Sequence, residues 1–121
     1  MRFAQLPEAE VDASASWSGD PLFTPYLTRA SVTAVVTNTS SADGVLVLQG
    51  SNEKPTSYMM ATHYEPSEAS WANIPGASLP ISANGTQTFE VEITYQYVRA
   101  RYIRASGSAD IAVTVHAKGW P

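Results

Sequence analysis

No stretch of ten or more residues in this chain holds a 3.6-residue apolar period without meeting Pro or Gly, so a helical fold is closed to it. From Ala13 onward, short runs rich in Val, Ile, Thr and aromatic residues alternate with Gly, Pro, Asn, Asp and Ser. Runs of that texture, recurring about every 8–12 residues, predict an all-β antiparallel sandwich of about eight strands. In Ala30–Asn38 the side chains alternate, with Val32, Ala34 and Val36 on one face and Thr33, Val35 and Thr37 on the other. A turn is expected at SSADG, residues 40–44. Gly44–Ser51 is apolar on both faces near its start and reads as a central strand. Ala13–Ser18 reads as a short edge strand, Ser57–His63 as a weaker one, and Trp71–Ile74 and Leu79–Ile81 flank a Pro75-Gly76 turn.

The Asn84-Gly85 turn signal opens the best-patterned third of the chain. Thr88–Thr94 puts Phe89, Val91 and Ile93 on one face and Glu90 and Glu92 on the other. Tyr97–Arg104 separates Val98, Ala100 and Tyr102 from Arg99 and Arg101 in the same way. Joined tightly through Tyr95-Gln96, the two runs place Glu92 opposite Arg99 and Glu90 opposite Arg101, with apolar residues facing apolar residues. A second hairpin at Ser106-Gly107 sets Tyr102 against Ile111, Ala100 against Val113 and Val98 against Val115. The expectation is a C-terminal three-stranded meander, with Phe89, Tyr102 and Trp71 in the core.

At 121 residues and 44% hydrophobic, the chain has material for one domain with one core. We place a jelly-roll-like sandwich at residues 13–121. Residues 1–12, with Pro7 and three acids in no clear period, read as an extended arm, either partly disordered or laid across a neighbour.

Several chemistries are absent from the sequence. There is no cysteine, which removes disulfides, thiolate metal sites and thiol catalysis. The formal net charge of −4 gives no general attraction to nucleic acid or anionic membranes. No apolar run approaches the ~20 residues that span a bilayer, and the acid-rich start after Met1 has no apolar segment of a signal peptide. Glu90 and Glu92 share a face, yet each has an arginine as its expected partner, so ion pairing outweighs a glycosidase-like role. His63 and His116 are alone and far apart, and no Gly-rich phosphate loop occurs. The expectation is a protein that is not an enzyme, with no catalytic residues, no cofactor, no metal and no nucleic-acid or membrane partner.

Two segments carry a likeness. VLVLQGSNEKPTSY (45–58), followed by a Trp-containing stretch, resembles the QGSND…W signature of discoidin-like and related phage sandwich domains. FEVEITYQYVRARYIRASGSADIAVTVHAKG (89–119) resembles the closing strands of the same group, with an ANGT turn between the two pieces at Ala83–Thr86. The turn after Asn52 departs from the pattern, reading SNEKP in place of SNDG. The resemblance implies a small virion protein of a tailed bacteriophage, on the capsid exterior, of the decoration or cement type. It implies binding to the major capsid protein and assembly as a homodimer or homotrimer. Apolar residues outside the clearest strands (Phe3, Leu6, Phe23, Tyr26 and Trp120) are the expected interface. The alternative is a discoidin-like carbohydrate-binding module of a tail, fibre or host-recognition protein, with Trp17, Tyr26, Tyr58 or Tyr64 stacking on sugar rings.

Overall fold

The computed structural model describes residues 2–24, 27–53 and 65–119, without the side chains of Arg2 and Phe3. The weaker strand expected at Ser57–His63 lies outside these residues. Over the described residues the protein is all-β, one antiparallel sheet of eight strands. Four short strands come first: β1 (Arg2–Gln5), β2 (Ala9–Asp12), β3 (Trp17–Ser18) and β4 (Leu22–Phe23). They are followed by β5 (Arg29–Ser51), β6 (Ala72–Ile81), β7 (Gly85–Glu92) and β8 (Tyr97–Gly119).

Two strands of 23 residues each, β5 and β8, organise everything else. They pair antiparallel along their whole length, from Arg29 opposite Lys118 to Ser51 opposite Tyr97. On the far side of β5, its first half takes β7 and its second half takes β6. The far edge of β8 is lined by β1 and β2 beside its C-terminal half and by β3 and β4 beside its N-terminal half.

The ribbon of β5 and β8 is doubled over. Drawn out straight, 23 residues of strand would span about 70 Å. Yet the Thr24 amide donates to the Gln96 carbonyl at 2.7 Å and the Thr28 amide to the Lys118 carbonyl at 3.0 Å. Four residues bridge at most about 14 Å, so the two ends of β8 meet. The fold is made where the register slips, between Thr37 and Gly44 of β5 and opposite them in β8. Asn38, Ser41 and Gly107 adopt positive φ there. With both strands bent together, the halves close on one core: Val32, Val36, Ile111 and Val113 from one, and Leu46, Leu48, Ile81, Val98 and Tyr102 from the other. This is the sandwich-like burial that the alternation in β5 predicts, since Ala30, Val32, Ala34 and Val36 are buried while Ser31, Thr33, Val35 and Thr37 are not.

The pairing of the last third is a correction. There is no C-terminal three-stranded meander: Thr88–Thr94 does not pair with Tyr97–Arg104, and residues 97–119 are one strand with no hairpin at Ser106-Gly107. The expected faces are right, since Val98, Ala100, Tyr102, Ile111, Val113 and Val115 are all buried. The partners differ because alternation specifies which face a residue occupies, whereas any strand of the same period can match it. β7 lies along β5, with Glu90 opposite Ser31, and residues 93–96 cross to the other half, where the Tyr95 ring covers Gly50. Turn-forming residues at 40–44 and 106–107 face one another, Asp43 opposite Ser106 and Ser40 opposite Ser108, and so make a corner in place of two chain reversals. Pro75-Gly76 is likewise a bulge inside β6, where Ile74–Ala77 stand against Leu48 alone. Asn84-Gly85 does turn the chain, between β6 and β7.

Within the N-terminal segment, Arg2–Gln5 and Ala9–Asp12 are strands paired with β8 of their own chain. Trp71, expected in the core, is half-buried with the Arg99 guanidinium 4.5 Å above its ring; Tyr102 is fully buried and Phe89 packs against the core.

Three carboxylates are held below their ordinary values. Glu90 is lowered first by its hydrogen bond from Arg29, Glu68 by that from Arg99, and Asp12 by the Ser14 amide. A depressed native value means the unfolded chain binds protons at higher pH, so this stability is present above about pH 4.5 and is lost as pH falls through the depressed values. The urea midpoint should be level from pH 8 to 5.5 and drop between about pH 4.5 and 3, with a shallower drop in an Arg29→Met variant.

Candidate functional site

The N-terminal segment leaves the edge of β8 at Pro7–Glu8, in the turn at Ser14–Ser16 and at Asp20–Pro21. The first and the last of these carry a proline, Pro7 or Pro21, which has no amide to offer β8. Where the chain lifts away, a groove of about 300 Å³ opens between the two halves of the sheet. Its floor is Ala100, Val113 and Val115, inward-facing residues drawn from both halves of β8. Leu6, Pro7 and Ala9 form one wall and Trp17, Ser18 and Gly19 the other, with Glu8 and Asp20 as its carboxylates.

Local geometry holds this wall in place. Trp17 pairs with Tyr102 in β3, and the Gly19 amide donates to the Ala100 carbonyl at 2.8 Å. Gly19 leaves the room that the indole occupies, since a Cβ there would stand 2.7 Å from Trp17 Cη2. On the opposite wall the Leu6 amide donates to the Val115 carbonyl at 3.1 Å. Arg101, opposite Ser18, donates to its hydroxyl at 2.6 Å. Glu8 and Asp20 are exposed, and neither has a hydrogen-bond or ion-pair partner among the described residues.

A second polar cluster lies on the outward face of the other half. Arg99, although only 6% exposed, donates to Gln49 Oε1 at 2.9 Å and to both Glu68 oxygens, at 3.0 and 2.7 Å. Gln49 in turn donates to Asn73 Oδ1 at 2.9 Å. The Arg99 guanidinium, both Glu68 oxygens and the Gln49 amide are matched to other side chains, and the cluster fastens the Glu68–Ser70 turn to the sheet. It is a clamp between the sheet and that turn. The Glu90 and Glu92 carboxylates meet Arg29, and Lys118 also reaches Glu90, so the arginine pairing expected for them is made with a different arginine. Among the described residues no group of three or more His, Asp or Glu comes together in a way that could hold a metal ion.

The expected site residues divide as follows. Leu6 and Trp17 come together, on opposite walls of the groove. Phe23 is half-buried, its ring 5.2 Å from that of Tyr97, and does not join them. Phe3 takes its place in β1 opposite Lys118. Tyr26, Tyr58, Tyr64 and Trp120 lie outside the described residues, as does His63. Sequence reasoning missed Glu8, Ser18 and Asp20, although Pro7 and Pro21 marked the places where the edge would break. No protein-family model matches the chain, and no curated protein matches it.

Proposed function

We propose that this chain is a non-enzymatic structural protein of a tailed-bacteriophage particle, decorating or cementing the capsid by binding the major capsid protein. The observation that supports this reading best is the outward face of the half built from β7, β5 and β8. Two rows cross it side by side, Thr88–Thr33–Thr114 and Thr86–Val35–Ala112. Neither row contains a charge on these three strands. The charges begin beyond them, with Glu90 beside Ser31 in the row on one side and Asp110 beside Thr37 on the other.

A centre without charge inside a charged rim is the layout of protein–protein contacts. The face is a broad pleated surface, not a concavity, and suits another protein better than a small ligand. Val35 at its centre is 39% exposed, among the most exposed large apolar side chains of the described residues. Strands β6 and β7 each pair on one side only among the described residues. Assembly as a homodimer or homotrimer through those edges would cover their free backbone groups.

Carbohydrate binding ranks second. Trp17 in the wall of a groove favours it, but the floor of Ala100, Val113 and Val115 is apolar, which leaves Glu8, Ser18 and Asp20 alone to meet a sugar's hydroxyls. The test is co-sedimentation with assembled capsids that lack the protein, with a glycan array in parallel. Saturable binding at a fixed copy number per capsomer with a blank array is expected. A glycan signal without capsid binding would overturn the proposal.

A further inference from the structure

We propose that the groove at the edge of β8 receives an arginine side chain from a basic segment of a partner protein. This inference stands apart from the capsid-binding face, because it concerns the β1–β4 edge and none of the threonine rows. It rests on the match between the groove and an alkylguanidinium group, taken part by part.

The floor of Ala100, Val113 and Val115, with Leu6 and Pro7 beside it, is apolar and suits the three-methylene stem of arginine. The Trp17 indole stands in the wall, and a planar guanidinium stacks on indole better than on any other side chain. Among the described residues Glu8 and Asp20 are the only ionisable ones in the lining, and both are carboxylates without a partner there. A guanidinium offers paired N–H donors that a carboxylate accepts in parallel. Arg101, which donates to Ser18 of the lining, pairs with neither carboxylate.

Other ligand classes fit worse. An anion would meet two like charges. A neutral polyol would lay hydroxyls over aliphatic side chains and leave both carboxylates without a counter-charge. The volume, about 300 Å³, is at the small end for ligand pockets and suits one side chain better than a multi-ring compound. The chain's net charge of −4 draws a basic segment toward it.

The experiment is an NMR titration of the ¹⁵N-labelled full chain with n-butylguanidinium chloride. It follows the Trp17 indole N–H, assigned by its loss in Trp17→Phe. A saturable shift is expected, weakened about tenfold in the Glu8→Gln/Asp20→Asn double variant and several-fold when salt is raised to about 0.5 M. The uncharged n-butylurea should leave the indole signal in place. Both variant positions are exposed and form no contact that the fold depends on, and the salt series on the unmodified chain is a second readout. Equal response to n-butylurea, a salt-independent shift, or a shift with methyl glucopyranoside but none with the guanidinium would each overturn the proposal.

Discussion

Replacing Gly107 by alanine is expected to destabilise the protein by about 3 kcal/mol or more, the largest loss from any single added methyl group. Gly107 stands at the corner with φ of +71°, a conformation that costs an L-residue energy wherever it occurs. Space is the larger obstacle. A Cβ there would lie 2.1 Å from the Ser41 carbonyl oxygen, 2.3 Å from its carbon and 2.6 Å from the Ala42 nitrogen. These are backbone atoms of the other strand of the ribbon, so no side chain can swing aside. Relief requires β5 and β8 to part at the point where the sheet doubles over. Thermal unfolding should show a fall of roughly 10 °C. Gly76→Ala is the matched control, since Gly76 has φ of +77° with nothing within 4 Å, and it reports conformational strain alone. Equal losses in the two variants would mean that the corner does not need this close approach.

Arg99→Ala is expected to cost about 2–3 kcal/mol, more than loss of a surface cation, because it leaves buried Gln49 unpaired and removes packing. The Arg99 side chain is 7% exposed, whereas its partner Glu68 is 74% exposed. Removing the arginine strands Gln49 under the 65–71 segment and takes away the contact over Trp71. Arg99→Met keeps much of the stem and should lose less, because it retains packing over Trp71 that alanine gives up. Urea denaturation of both variants measures the difference, and amide hydrogen exchange at Ser67–Trp71 reads whether the segment has come loose. A cost below about 1 kcal/mol for Arg99→Ala would show that the cluster is a surface pairing.

The sequence disclosed faces more readily than partners. Alternation in Ala30–Asn38 and Thr88–Thr94 assigned inward and outward residues correctly, because burial there follows the two-residue period, whereas Tyr97 and Arg99 are buried on the outward face of β8 beneath other segments. Pairing depends on which strand of that period lies alongside. The hairpin imagined through Tyr95-Gln96 satisfied both faces as well as the observed pairing of β7 with β5 does. Ser40, Ser41, Asp43, Ser106 and Gly107 were legible as places where the backbone bends. Whether a bend reverses the chain or folds a ribbon depends on what faces it, which composition cannot say. Arg99 drew attention through its position, but its partner Glu68, 31 residues away, lies in an irregular stretch with no period to read. Trp17 and Leu6 were singled out for unrelated reasons. Their meeting across the groove follows from the N-terminal segment returning to β8, a contact between chain ends that local pattern does not encode.

The capsid-binding reading is tested most directly by placing a charge at the centre of the threonine face. Val35→Arg and Thr114→Arg put a long cation on outward positions of β5 and β8 without disturbing the buried alternation beneath them. Their saturation binding to capsids should be compared with that of Glu8→Gln, which alters the groove alone. Loss of binding in both face variants, with unchanged thermal unfolding and full binding by Glu8→Gln, is the predicted result. Undiminished binding by Val35→Arg and Thr114→Arg would contradict it.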